Sequence, residues 1–236
     1  MKNYVIINGT NSNTLTGLMI NELPPITKPE MRTQVEEIDG RDGDIITELG
    51  YSAYNKTITI GLFGSSYDVD NIIKFFNKEG TIIFSNEPDK YYFFKQIDNF
   101  DIERLLRFKT ASITFHCQPF KYPTTETAKV ITSSNVATTI SNIGNIYSKP
   151  LIAIEGGNNT SIAIYKDNTQ ILQATVNGKM NIDIDKMEAY DPTNNNLLNR
   201  NVIGNYNSMT FAPGNNSIKL VGTFTKATIT NYTRWL

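Results

Sequence analysis

Apolar and polar residues alternate along most of this chain, and the apolar positions are dominated by β-branched and aromatic side chains. Successive residues of a strand face opposite sides, so a period of two describes strands with one covered face and argues against a helical fold. In the first half the runs are Tyr4 to Ile7, Thr33 to Ile38, Thr57 to Phe63, Thr81 to Phe84, Tyr91 to Gln96 and Leu106 to Phe115. Turn residues separate them at Asn8-Gly9, Gly40-Arg41-Asp42-Gly43, Glu79-Gly80 and Asn86-Glu87-Pro88. This pattern predicts a sheet built from hairpins.

One segment breaks the period. Val69, Ile72, Ile73 and Phe76 recur at helical spacing, Ser66 or Asp68 can cap the start, and Gly80 follows the end. One amphipathic helix near residues 67–78 is expected, closing a face of the sheet. The prolines at 119 and 123 and the threonine-rich residues 124–127 interrupt the alternation, which places a domain boundary between 1–124 and 125–236. Beyond it come Val130 to Ile131, Leu151 to Glu155, Ser161 to Tyr165, Gln170 to Val176, Lys179 to Asp183, Lys186 to Tyr190, Ser208 to Phe211, Ser217 to Val221 and Lys226 to Asn231. Short strands at this spacing predict a β-sandwich.

Size and charge narrow the function. A chain of 236 residues can bury a core without metal or disulfide staples, and the single cysteine, Cys117, makes no intrachain bridge. With 22 basic and 23 acidic residues there is no footprint for sequence-specific nucleic acid or for an anionic membrane. No apolar run approaches the roughly 20 residues that span a bilayer. Tyr4 to Ile7 reads as a strand, without the apolar core of an export signal, so a protein folded in a reducing cytoplasm is expected.

The second half is punctuated by fixed stations: Asn142-Ile143-Gly144-Asn145 before Lys149-Pro150, then Asn181-Ile-Asp-Ile-Asp185, then Phe211-Ala-Pro-Gly-Asn-Asn216, then Arg234-Trp235. Asn177-Gly178 predicts a type I′ hairpin turn, Pro213-Gly214 a type II turn, and Gly156 to Asn159 a further turn. Trp235 is expected to pack against the sandwich. Singly these are ordinary β-architecture. In this order, together with Gly40-Arg41-Asp42-Gly43, Leu49-Gly50-Tyr51, Thr57-Ile-Thr-Ile60 and Phe115 to Phe120, the chain resembles the distal tail proteins of long-tailed phages over nearly its whole length.

The resemblance implies a mainly β protein: an N-terminal β-sandwich or split-barrel-like domain with one helix, followed by a C-terminal galectin-like β-sandwich. It implies a homo-hexameric ring at the distal end of a virion tail, assembled in the bacterial cytoplasm. Such a ring joins the tail tube protein to a tail-associated lysin or other tail-tip protein, sometimes with receptor-binding proteins, and leaves a channel for DNA. Gly40, Arg41, Asp42 and Gly43 then belong to a hairpin region that grips the neighbouring subunit. No catalytic residue, metal ligand or cofactor is implied.

Reactive arrangements are few. Asp183 and Asp185, two apart on a strand, stand roughly 7 Å apart, within reach of an inverting glycosidase pair. Ile182 and Ile184 cover the other face, so the aspartates are expected on the solvent side. Asp98, Asp101 and Glu103 are hard oxygen ligands, but Arg104 and Arg107 among them argue for a solvated surface or subunit contact. His116 and Cys117 face opposite ways on a strand, which makes Cys117 a core residue. Tyr91 to Phe94 sit on both faces of a strand and suit a covered sheet or an interface; a nucleic-acid platform lacks its basic groove. The asparagine-rich loops at 158–159 and 194–201 motivate the alternative, a carbohydrate-binding host-adhesion module. An enzyme is the weakest class, with no nucleophile motif, paired histidines or phosphate loop.

Overall fold

The computed structural model describes residues 2–97 and 101–236. The chain divides into two compact units, Met1–Thr124 with Leu236, and Thr125–Trp235. No helix among the described residues is long and apolar enough to cross a membrane.

The first unit contains β1 (Val5–Ile7), β2 (Thr10–Asn11), β3 (Leu18–Glu22), β4 (Met31–Glu37), β5 (Asp44–Tyr51), β6 (Tyr54–Leu62), α1 (Val69–Phe76), β7 (Gly80–Phe84), β8 (Lys90–Ile97), α2 (Ile102–Phe108) and β9 (Thr110–Pro123). Seven of these strands form one antiparallel sheet in the order β2-β1-β7-β8-β9-β6-β3. Ile58, Ile60, Tyr92, Phe94, Ile113 and Phe115 alternate into its core, as the period of two requires. Among the described residues β4 and β5 pair only with each other and form a separate two-stranded sheet.

The expected helix is α1. Asp68 caps it by accepting from Asn71 N at 3.0 Å. Ile72, Phe75 and Phe76 are buried against the sheet, worth about 1.5–3 kcal/mol each. Phe75 takes an inward place that the spacing assigned to Ile73.

The expectation of one helix needs correction, because Leu106 to Phe108 belong to α2 and the following strand begins at Thr110. Asp101 caps α2 through Arg104 N at 2.8 Å, and only Leu105 is buried. Lys109, at φ 59°, stops the helix in the left-handed region, with its Nζ donating to Tyr67 Oη at 2.6 Å. Seven residues with one inward side chain are too short to stand out from the strand pattern that follows.

Pro119 does not end β9. It lies in a bulged stretch between Cys117, opposite Phe94, and Lys121, opposite Tyr92. A bulge is a place where a strand tolerates a residue that cannot donate to the ladder.

The second unit contains β10 (Lys129–Ile131), β11 (Thr138–Asn142), β12 (Leu151–Gly156), β13 (Thr160–Lys166), β14 (Thr169–Val176), β15 (Lys179–Asp183), β16 (Glu188–Tyr190), β17 (Val202–Gly204), β18 (Gly214–Gly222) and β19 (Phe224–Thr230). They form two five-stranded antiparallel sheets, β10-β19-β12-β15-β16 and β11-β18-β13-β14-β17. Ile152, Ile154, Ile182 and Ile229 of the first sheet share one apolar cluster with Ile162, Ile164, Leu172 and Leu220 of the second. Strands β11 and β17, like β3 and β5, escaped the sequence pattern. Conversely, the strand expected at Ser208 to Phe211 is a 3-10 turn at Tyr206–Ser208 followed by a single bridge from Phe211 to Ser148.

Turn chemistry differs from expectation at one informative place. Asn177-Gly178 connects β14 to β15, which lie in different sheets, so it makes no hairpin. Gly178 has φ +76° while Asn177 does not enter the positive region, and a type I′ turn needs both. The neighbouring link from β12 to β13 also changes sheet, and the two corners are joined by Gly156 N to Gly178 O at 2.8 Å and Gly178 N to Gly157 O at 3.2 Å. Two-residue hairpins with both φ values positive are Asp167-Asn168, at 48° and 67°, between β13 and β14, and, in the first unit, Asn8-Gly9, at 48° and 81°, between β1 and β2.

Candidate assembly surfaces

The predicted contact residues sit together. Gly40 to Gly43 form the tip of the β4–β5 hairpin, beyond the closing pair Glu37 and Asp44. Gly40 and Gly43 have φ of 82° and 77°, and an added Cβ at either would meet nothing within 4 Å, so their glycine identity serves backbone conformation rather than packing. Along the hairpin, Val35 stands directly opposite Ile46 and both are exposed, at 53% and 63%. Ile38 and Leu49 are also exposed. A lone two-stranded ribbon is marginal in water, and exposed apolar side chains on an unpaired hairpin mark a surface built to be covered.

The root of this hairpin is firmly held. Ser52 N donates to Glu30 O at 2.8 Å, and the Tyr51 ring meets Phe120 edge-on at 5.8 Å. Upstream, the strap from Leu23 to Pro29 is tied by Asn86 Nδ2 to Pro24 O at 3.0 Å and by Lys56 Nζ to Pro25 O at 3.3 Å.

Lys56 belongs to a buried polar cluster that sequence reasoning missed. It is 2% exposed and lies over the rings of Tyr92 and Tyr54, at 4.7 and 5.0 Å from their centroids. Nearby, Lys121 Nζ pairs with Glu87 Oε1 at 2.8 Å, and Tyr92 Oη donates to Glu87 Oε2. Burial pulls the Lys56 ammonium below the usual lysine range, although the adjacent Cys117 and Glu87 act in its favour. Burial also raises the Tyr92 and Tyr54 phenols. The only warning in the sequence is that Lys56 and Lys121 fall at inward positions of their strands, where lysine is rare.

The stations of the second unit converge into a second buried network. Asn142, 1% exposed, donates through Nδ2 to Ile146 O and Phe211 O, each at 3.0 Å, and accepts from Gly144 N at 3.0 Å. Gly144 lies so close to the Arg234 carbonyl that a Cβ would stand 2.2 Å from that oxygen. Arg234 Nε donates to Tyr147 O at 2.7 Å, and its guanidinium covers the Tyr147 ring. Ser148 Oγ donates to Asn231 Oδ1, whose Nδ2 donates to Thr233 Oγ1 at 2.9 Å. Thr233 in turn donates to Glu126 through N and Oγ1. Asn216 holds both the N–H and the carbonyl of Ala212, at 2.9 and 2.8 Å, closing its own station. Asn142, Glu126, Arg234 and Asn216 thus bond backbone groups, while Ser148 and Asn231 link side chain to side chain.

None of the reactive arrangements forms a site. Asp183 is not on the solvent side: β15 ends there, its side chain turns in, and Oδ1 accepts from Asp185 N and Lys186 N at 3.0 and 3.1 Å. Asp185 is exposed and pairs with Lys149 at 3.0 Å. The strand ends at Asp183, two residues short of Asp185, so the two carboxylates do not share a strand face. Asp98 lies outside the described residues, Asp101 caps α2, and no group of three or more potential metal ligands occurs among the described residues.

Cys117 is fully buried and its thiol is pushed up to about 12 by burial; His116 Nδ1 bonds Asn55 Oδ1 at 2.9 Å. Tyr92 and Phe94 point to the core, while Tyr91 and Phe93 cluster outside with Tyr122 at 5.3–5.6 Å. In the asparagine-rich loop, Asn194 accepts from Asn196 N, Asn199 from Ala189 N, and Asp191 from Thr193 N. Asp191 and Asn194 shape their own turns, and Asn199 ties the loop to β16. Phe211 is fully buried and offers no platform.

Residues 13–117, within the first unit, match the family model described as phage tail protein RIFT-related domain. That stretch is therefore similar to a domain of phage tail proteins. Over its full length the chain is similar to SPP1 Dit, described as a paradigm of the hub adsorption apparatus in phages infecting Gram-positive hosts, with TM-score 0.69, 16% identity and 100% of both chains covered. A chain of the phage P2 baseplate in its activated conformation with calcium is similar at TM-score 0.50 and 12% identity, covering 98% of both chains. A chain of that baseplate with strontium is similar at TM-score 0.52 and 12% identity, covering 98% of this chain and 97% of the other. No curated protein matches in sequence. The chain has the fold of a phage distal tail protein, in keeping with the resemblance carried by its stations.

Proposed function

We propose that this protein is a structural component of a phage tail tip, a hub whose copies close into a hexameric ring between the tail tube and the host-recognition apparatus. The observation that carries the reading is the β4–β5 hairpin, an unpaired ribbon with exposed Val35 and Ile46, on a unit that matches a phage tail domain. Head-to-tail contacts between two different patches close a ring when the rotation allows, and a hairpin reaching from each copy supplies one of the patches. Gly40, Arg41, Asp42 and Gly43, at its tip, are the contact residues. The first unit, residues 1–124, forms the ring and continues the tube; the second, residues 125–236, is a galectin-like sandwich. The ring leaves a channel for DNA and meets the tail tube protein and a tail-associated lysin or other tail-tip protein, with receptor-binding proteins beyond, in a virion assembled in the bacterial cytoplasm. The role is non-enzymatic. Saccharide recognition by the second unit is not favoured: Asn194 and Asn199, in one of the loops that prompted it, are engaged with backbone N–H groups of the unit itself.

Native mass spectrometry and negative-stain microscopy of the full chain at high concentration test this reading. Hexamers and ring-shaped particles are expected. A protein that stays monomeric at every concentration, alone and with its tail-tube partner, defeats it.

A further inference from the structure

The contact surface on the hairpin and the surface that receives it can both be specified. Between Glu30 and Glu48 the hairpin segment carries seven carboxylates against two guanidinium groups, Arg32 and Arg41. The pairing register puts Thr33 opposite Glu48, Val35 opposite Ile46 and Glu37 opposite Asp44 on one face. An apolar centre is thus flanked by carboxylates at both ends. Glu37 directly opposite Asp44 is a like-charge pair, which destabilises a ribbon left alone. Among the described residues neither carboxylate has a cation partner.

α2 presents the converse. Phe108, 63% exposed, stands at its C-terminal end. Arg104 lies four residues before Phe108, one turn away on the same side, and Arg107 holds its guanidinium 5.5 Å from the Phe108 ring centroid. Arg104, Arg107 and Phe108 also line an open groove with Asp101 and Glu103. Asp101 is already engaged in capping, and among the described residues neither arginine forms an ion pair. This is an exposed aromatic centre with a guanidinium rim.

We propose that the Val35–Ile46 face of the hairpin docks on the Phe108–Arg104–Arg107 face of α2 in a second copy of this chain. Apolar centre meets apolar centre, and Glu37, Asp44 and Glu48 meet the arginines. Opposite-sign patches steer encounter and reject wrong pairings, and guanidinium is the cation best suited to paired carboxylates. The two patches differ, so the contact is heterologous, as ring closure requires. The inference rests on the hub reading and adds the receiving surface to it.

Cross-linking of the full-length protein tests it. Ile46→Cys and Phe108→Cys variants are mixed under mild oxidation; the native Cys117 is fully buried and stays out of the reaction. A disulfide-linked dimer is expected from the mixture and not from either variant alone. Raising the salt tenfold should reduce its yield several-fold, since charges at a rim are screened. Arg104→Glu with Arg107→Glu should abolish ring particles, and adding Glu37→Lys with Asp44→Lys should restore them. If rings form but the mixture does not cross-link, or charge reversal leaves the rings unchanged, the receiving surface is wrong and the hub reading stands. Dimers of Ile46→Cys alone mean that hairpins meet hairpins, which overturns the proposal. If neither rings nor cross-links form at any concentration, both readings fall.

Discussion

Replacing Glu87 by leucine should unfold the first unit far more readily than the loss of one hydrogen bond implies. Glu87 is 9% exposed and holds the Lys121 ammonium at 2.8 Å and the Tyr92 hydroxyl, with Lys56 buried close by. Its removal leaves Lys121, 6% exposed, without its carboxylate and Tyr92 Oη without its acceptor. Breaking a buried ion pair from one side costs about 3–5 kcal/mol. With a urea slope of about 2 kcal/mol/M, the midpoint of the first unit's transition falls by about 2 M.

The double variant Glu87→Leu with Lys121→Met removes both charges and replaces them with apolar bulk. It should recover at least half of the loss, because buried pairs contribute little beyond their own desolvation. In urea unfolding far-UV circular dichroism reads both units and fluorescence of Trp235, the only tryptophan, reads the second, so the transition seen by dichroism and not by fluorescence is that of the first unit. A Glu87→Leu loss under about 1 kcal/mol, or a double variant worse than the single one, would falsify the account of the cluster as mutually dependent.

Three further outcomes follow from the same structure. Gly144→Ala places a Cβ 2.2 Å from the Arg234 carbonyl oxygen; the second unit should lose about 2–4 kcal/mol, seen as a lowered Trp235 thermal midpoint, whereas Gly40→Ala at the open hairpin tip meets no atom and should cost only the roughly 1–2 kcal/mol of a left-handed backbone. Asp183→Asn should weaken the turn that follows β15 by about 1–2 kcal/mol, while Asp185→Asn, losing one exposed ion pair, should change stability by less than about 1 kcal/mol; equal effects in urea melts would contradict the inward placement of Asp183. The Cys117 thiol, at about 12 in the folded chain against 9.0 for the free group, stays protonated where the unfolded chain ionises. Its contribution is therefore intact below about pH 9 and lost as pH rises towards 12, by up to roughly 4 kcal/mol, and Cys117→Ala should flatten that part of the stability profile.

Several features were readable because their causes are local. Asp68 followed by Ile72 and Phe76 specifies a capped helix with an inward stripe, and Gly40 and Gly43 specify a hairpin tip because few other residues adopt their backbone angles. The inward alternation of Tyr92 and Phe94, and the burial of Cys117, followed from the period of a strand. Other features depended on partners distant in sequence. α2 is decided by one buried leucine and a left-handed Lys109 held by Tyr67, forty-two residues away. Lys56 and Lys121 break the apolar pattern, and only the fold brings Glu87 and two tyrosine rings around them.

By itself, then, the sequence determined the strand period, the first helix, the tip of the hairpin and the order of stations that resembles a phage distal tail protein. Tertiary structure alone decided which strands pair. Asn177-Gly178 carries the local chemistry of a hairpin, yet its flanking strands bury their faces in opposite sheets of one core, and the link becomes a corner. Asp183 likewise has the spacing of a solvent-facing carboxylate, but the strand stops beneath it and its oxygen is taken by two backbone N–H groups. Local preference sets what each short segment can adopt; the burial of one continuous core selects among those options, because only the whole chain can exclude water from it.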